Sequence, residues 1–555
     1  MTTASVDRRT VIKGSAAAAG TATIVAASGS TASGASAYFA HGVASGDPMP
    51  DRVVIWTRVT PTSTSTPGSG KGPRVWVDYE VATDQAFRRI VKKGRIATGA
   101  SDDHTVKLDV TGLQPARWYF YRFSYKGRFS RVGRTRTAPA HSSTPSRVRL
   151  GMVSCSNLQA GWFSAYRHLA KRNDLHAIVH LGDYIYEYGP GQYGYGNDNV
   201  DIRKHAPARE MVSLADYRQR HAQYKRDADL QELHARYPFI VTWDDHEVTN
   251  DANKEGAENH DASEGSWLTR RARSHRAYDE WMPVRMSGTA ALGDGTRLFR
   301  TLRFGQLAEL SMLDLRTYRS TPVESPASGE ASSSERSIAG AQQLAWLKKN
   351  LTSERAQWKL VGNPVMIAPV TFGTVPDALI DPINDVTKLL PEDGVAYNID
   401  QWDGYTHDRR VLFEHIRDQG ITDTVFLTGD IHSAWACELP FDPGSYPVVR
   451  ENAGVEFVCT SVTSNNLKDI LGVQRRTASV AVETILTAAN PHIRHLNFDD
   501  HGYSVLDVTS ARVQCDYYAI GDRAVKSTGL TWQASWQTLA GTQQLRRVHT
   551  PVGGA

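Results

Sequence analysis

Cysteine is nearly absent from this sequence. Four thiols in 555 residues exclude a small disulfide-stapled scaffold, so stability has to come from buried apolar surface. Long apolar runs are missing too: beyond the N-terminal segment no stretch reaches the ~18 uninterrupted apolar residues of a membrane-spanning helix, and no transmembrane anchor is expected in the mature chain. Neither sign of charge dominates, with 63 Lys and Arg against 59 Asp and Glu and a formal net charge of +4. The basic residues are spread along the chain, which gives nucleic acid no electrostatic footprint, and no nucleic-acid partner is expected. The Gly-rich "TPGSGKGP" lacks the Gly-Lys-Ser/Thr ending of a phosphate-cradling loop and reads as a flexible hairpin connection. No internal repeat is evident. What is present is a chain 40% hydrophobic, long enough to bury one large core or two unequal ones.

The first 37 residues, with "DRRTVIKGSAAAAGTATIVAASGSTASGASA", have a basic start, a weakly apolar middle and Ala-Ser-Ala at 35–37. This is the order of regions in an export signal. Arg8 and Arg9, followed by Thr10, Val11, Ile12 and Lys13, match the twin-arginine pattern, so the twin-arginine translocase is an expected partner and secretion the expected destination. From 38 to 139 short alternating strands such as "RVVIWTRV", "RVWVDYEVAT" and "RWYFYRFSYKG" predict a β-sandwich. "APAHSSTPS", at 138–146, has linker composition. From 147 to about 545 apolar runs ("RVRLGMVS", "LHAIVHLGD", "FIVTWDDHE", "DTVFLTGDIH") alternate with helix-like stretches, as in a layered α/β domain whose site lies at the carboxyl ends of its strands.

Three of those strand ends repeat one theme. "HLGDYIY", "VTWDDHEVTND" and "FLTGDIHSAW" each place Asp, with His or Tyr nearby, just past an apolar run. Convergent carboxylates repel one another unless a cation joins them, so a metal is the economical neutraliser. Asp183 and Tyr186 sit three apart at one such end, and Cys155 stands alone in "MVSCSN", away from Cys437, Cys459 and Cys515 on later strands. Thiolate, phenolate, imidazole and carboxylate together suit an iron-type ion, whereas Asp and Asn oxygens suit calcium or magnesium. Two ions sharing a carboxylate clamp a phosphate and activate a water for in-line attack. Each residue also has a plain reading: Cys155 as a core thiol, Tyr186 as a packed aromatic, His246 as paired with Glu247, Arg316 and Arg319 as ion-pair partners of Asp314 or others rather than phosphate contacts.

The motifs "ASGDPMPDRVVIWTR", "MVSCSN", "LGDYIYEY", "WDDHEVTND", "YDEWMPVR", "LDLRTYRS" and "GDIHSAW" together resemble the PhoD-like alkaline phosphatase and phosphodiesterase family, within the calcineurin-like metallophosphoesterase superfamily. The likeness spans nearly the whole mature chain. It implies a small fibronectin- or Ig-like β-sandwich followed by a four-layer α/β/β/α phosphoesterase domain. It also implies a centre of one ferric iron and one or two calcium ions. By the same resemblance Cys155, Tyr186 and His432 are iron ligands, Asp183 bridges, Asp245 and Asp430 serve calcium, and His246 is the catalytic histidine; Asp244, Asn250, Asp251 and Asn363 are weaker candidates. The function implied is that of a secreted phosphoric ester hydrolase acting on monoesters or diesters, with a phospholipase D-type enzyme acting on phospholipids or teichoic acid as the alternative. A wall-binding protein with a structural metal site is the reading from another class. "NFDDHGYS", with Asp499, Asp500 and His501, is a candidate for reaching the site from the C-terminal part.

Overall fold

The strands "VRLGMV" (Val148–Val153), "AIVHL" (Ala177–Leu181) and "PFIVT" (Pro238–Thr242) are buried at every position, because each is covered on both faces. They pair in parallel, and successive side chains go to opposite cores: Ile178 faces one, Val179 and Leu181 the other, as a pleat of period two requires. A computed structural model of the chain describes residues 37–286, 297–374, 376–378, 393–446 and 448–553. The export signal expected over 1–37 therefore lies, but for Ala37, outside the described residues.

Those three strands are the middle of a ten-stranded mixed sheet. On one side it continues through antiparallel strands Gly502–Val508, Arg512–Ile520, Leu530–Leu539 and Leu545–Val548. On the other it continues through Val43–Gly46, Arg52–Arg58 and Thr105–Thr111. A seven-stranded sheet faces it, with Ala308–Met312, Trp358–Asn363, Thr424–Thr428 and Asn452–Val458 parallel in that order. Leu150, Met152 and Ile240 of the first sheet meet Leu310, Leu360, Leu427 and Phe457 of the second. Helices Ser164–Lys171, Leu214–Tyr224, Ala228–Arg236 and Trp267–Trp281 cover the outer face of the first sheet. Helices Ala341–Leu351, Thr406–Asp418 and Ala478–Ala489 cover that of the second. The result is the α/β/β/α order of layers that the family resemblance implies.

In the N-terminal part, strands Val75–Ala82, Ile90–Thr98, Trp118–Tyr125, Arg128–Phe129 and Gly133–Arg136 form a five-stranded sheet. Its Val77, Val81, Tyr121 and Phe123 pack on Val53, Ile55, Val106 and Val110, so the second sheet of this sandwich is the edge of the large sheet. The join is the parallel pairing of Ser45 with Pro238 and Gly46 with Phe239. A Cβ at Gly46 would run into the carbonyl oxygens of Pro283 and Phe239, so this crossing needs glycine. All four cysteines are buried and unpaired. Among the described residues no helix is long and apolar enough to cross a membrane.

Candidate metal centre

The expected ligands come after strands from both sheets: Cys155 after Val148–Val153, Asp183 after Ala177–Leu181, Asp245 and His246 after Pro238–Thr242, Asp430 and His432 after Thr424–Thr428. Four of them turn the chain through left-handed backbone: Cys155 (φ 58°), Asp183 (φ 54°), Asp430 (φ 62°) and His432 (φ 55°). Each such non-glycine conformation costs about 1–3 kcal/mol and collects where loops must re-aim a side chain. Crossed backbone bonds hold these turns: Cys155 N–H donates to Gly182 O at 3.3 Å, Ser156 N–H to Asp183 O at 2.9 Å, and Thr463 N–H to Cys155 O at 3.2 Å.

The turns bring the side chains together. Ligand atoms of Cys155, Asp183 and His432 lie within 4.8 Å of one another. The Tyr186 hydroxyl donates to Asp183 Oδ2 at 2.8 Å and lies 3.3 Å from His432 Nε2. His432 Nδ1 is 2.8 Å from the Asn465 carbonyl, which requires the proton on Nδ1 and turns the Nε2 lone pair inward. A second group, Asp183, Asp244, Asp245 and Asp430, meets the same 4.8 Å limit, as does a third of Asp183, Asp245 and His246. Asp183 is common to all three, and its Oδ1 is buried without a hydrogen-bond partner.

Electrostatics show what this cluster lacks. Burial, reinforced by Asp245 and Asp244, pushes the Asp183 carboxyl up to about 8. Burial also raises Asp430, the Cys155 thiol and the Tyr186 phenol well above their ordinary values. Burial lowers His432 to about 4. The raised acids disfavour the forms that bind a metal, and a cation would reverse their shifts, whereas the lowered His432 is already the neutral imidazole a metal takes. The residues fit metal ions: a sulfur, nitrogen, phenol and carboxylate set on one side of Asp183, an all-oxygen set on the other.

Other side chains have definite partners. Arg316 is buried and grips Asp244 at 2.5 and 2.9 Å, Asp400 at 2.8 Å and Asp430 at 3.4 Å. Arg319 pairs with Asp400 at 2.8 Å. Asp314 instead accepts the backbone N–H groups of Arg316 and Thr317. His246 Nδ1 lies 2.8 Å from Glu187 Oε2 and its ring packs on Tyr186 at 4.2 Å between centroids. The sequence neighbour Glu247 accepts the backbone N–H groups of Asp183, Tyr184 and Asp244 instead, fixing two strand ends at once.

Sequence reasoning assigned nothing to Glu187 or to Asp400. The latter joins Asp245 and Asp251 in a further acidic group, where burial pushes Asp251 up to about 8. Glu187 carried a signal, standing in "DYIYE" beside the ligand candidates, whereas Asp400 lies on a loop with none. Of the weaker candidates, Asn363 accepts from Trp402 and donates to Thr428, and Asn250 donates to Glu258, so both are engaged elsewhere. His501 reaches the Ser464 carbonyl at 2.9 Å, and Asp500 pairs with Arg475. With Asp499 they line a cavity of about 530 Å³ together with Lys468 and Arg523.

A four-layer fold whose strand ends gather these groups around Asp183 has side chains that could hold metal ions, as a metal-dependent phosphoesterase requires. The chain matches the PhoD-like phosphatase family over residues 150–517 and the PhoD-like phosphatase N-terminal domain over 24–139. It is 36% identical to alkaline phosphatase D of Bacillus subtilis (strain 168) over 516 residues, covering 92% of this chain and 82% of that protein. It superposes on the solved structure of PhoD with a TM-score of 0.81 and 35% identity, covering 94% of this chain and 95% of that one. The chain belongs to the PhoD-like phosphatase family and is a hydrolase of phosphoric esters.

Proposed function

We propose that the protein is an exported alkaline phosphatase, acting on phosphomonoesters and phosphodiesters at a centre of one ferric iron and one or two calcium ions. Cys155, Asp183, Tyr186 and His432 would hold the iron; Asp183, Asp245 and Asp430 would hold one calcium, and Asp245, Asp251 and Asp400 are the place for another. Such ions supply charge to phosphoryl oxygens and lower the pKa of a water. The observation that carries this reading is Asp183, shared by three ligand groups and left with one buried oxygen unpartnered.

His246 does the proton work. Against burial, which lowers it, Glu187, Asp245 and Asp183 hold the imidazole protonated well above its ordinary value. With Nδ1 engaged by Glu187, the Nε2 proton is the one offered to a phosphoryl oxygen or the leaving group. Arg316 and Arg319 are taken up by Asp244, Asp400 and Asp430, so their role is to neutralise carboxylates. Export would use the twin-arginine translocase through Arg8 and Arg9, carrying a folded, metal-loaded protein out of the cell.

The test is metal analysis with visible spectroscopy and ester hydrolysis on the intact protein and on Tyr186→Phe. The expected result is iron and calcium in the wild type, a visible phenolate band that disappears in Tyr186→Phe, and hydrolysis that requires both metals. A colourless, metal-free and fully active wild type would overturn the assignment.

A further inference from the structure

We propose that the surface formed by residues 467–489 docks on an anionic lipid bilayer. The segment starts beside the metal centre: Asn465 holds His432 through its carbonyl, and Asn466 caps the helix Leu467–Leu471, which packs on the helix Ala478–Ala489. Soluble surfaces normally scatter apolar side chains singly among charges. Here Ile470, Leu471 and Val473 are exposed in and just after the first helix, and Val480 and Ile485 on the second, Ile485 at 61%.

The second helix departs from the usual amphipathic pattern. A surface helix carries charge on its outer face, yet the outward positions of Ala478–Ala489 are occupied only by Ala, Val, Thr and Ile. Its single charged residue, Glu483, is buried and bound by Arg476 and by the Phe498 N–H. The exposed charged residues of the segment are Arg475 and Arg476, in the loop between the two helices. Their partners Asp500 and Glu483 have side chains only 9% and 10% exposed, so in each ion pair the cation faces out and the anion is covered.

Apolar side chains beside outward-facing arginines, with no acidic group of the segment facing out, form the pattern that enters the headgroup region of an anionic membrane. A two-fold pairing whose axis passes by the loop at 475–476 would bring the arginines of both copies together and repel. The bilayer is therefore the occupant that the charges favour. Docking this way would hold the metal centre close to the membrane surface, and the inference does not depend on which metals occupy it.

The experiment is cosedimentation of the intact protein with vesicles of phosphatidylcholine alone or mixed with phosphatidylglycerol. It compares the wild type, Ile485→Glu, and Val91→Glu as a control at an exposed site in the N-terminal sheet. The wild type should bind the mixed vesicles more tightly than the neutral ones, and added salt should weaken that binding. Ile485→Glu should bind at least about tenfold more weakly, the factor expected from losing one buried apolar anchor. Val91→Glu should bind as the wild type does, and hydrolysis of a small soluble ester should be the same in all three. A wild type that stays in the supernatant with both vesicle types, or an Ile485→Glu variant that binds like the wild type, overturns the proposal. So does a concentration-dependent dimer that Ile485→Glu abolishes, which would assign the surface to a second copy.

Discussion

The two sides of Asp183 solve the problem of buried charge differently. On one side Cys155, Tyr186 and His432 are groups whose neutral forms tolerate burial. On the other, Asp244, Asp245, Asp400 and Asp430 surround Arg316, a fixed cation already in place. The first side can exist uncharged and wait for its metal. The second gathers carboxylates that protons or cations must balance, and the fold supplies one cation itself. Asp183 belongs to both, and burial, reinforced by Asp245 and Asp244, displaces its protonation upward.

The largest effect expected is that of Asp183→Ala, which should reduce ester hydrolysis to background and remove iron and calcium together. Elemental analysis checks it; full retention of one metal would show that the two sides are independent. Next is His246→Ala, expected to lower kcat by about 10²–10⁴-fold with both metals retained, as steady-state kinetics and metal analysis on the same sample would show. Arg316→Leu strikes the acidic side alone. It leaves Asp244 buried without its cation and should cost about 3–5 kcal/mol of stability in denaturant unfolding, less when calcium is present.

The smallest and most gradual effect lies outside the centre. Burial lowers His176, His492 and His495 to about 4, below their unfolded value of about 6.5. Between those two values the unfolded chain binds more protons than the folded one, so these histidines cost the fold least above about pH 6.5 and progressively more as pH falls toward about 4. Thermal melts of metal-free protein across that window should show a falling Tm, and Arg316→Leu should shift the whole curve down without changing the contribution of these three histidines to its slope.

Much of this arrangement was legible in the sequence because a parallel strand covered on both faces is a plain apolar run, and it ends in an equally plain turn. Asp183, Asp245 and Asp430 could be read in that way, and Cys155 and Tyr186 gained meaning from the resemblance. The partner of His246 was not legible. Glu247 is its neighbour in sequence, but the turn after Trp243 sends that carboxylate back to three backbone N–H groups and leaves Glu187 to face the imidazole. Asp400 was hidden because it approaches from a loop after no long strand, and only the fold brings it to Arg316. The pairing of Ser45 with Pro238 likewise leaves no local trace, since register between distant strands depends on the whole sheet.

In the proposed centre one carboxylate joins two unlike metal sites. Anomalous diffraction from crystals of the metal-loaded protein, collected above and below the iron absorption edge, tests it most directly. An iron peak is expected among Cys155, Tyr186 and His432, a separate non-iron peak among Asp245 and Asp430, and Asp183 between them. Iron on the acidic side, or a single peak that leaves Cys155 and Tyr186 without a metal, would contradict it.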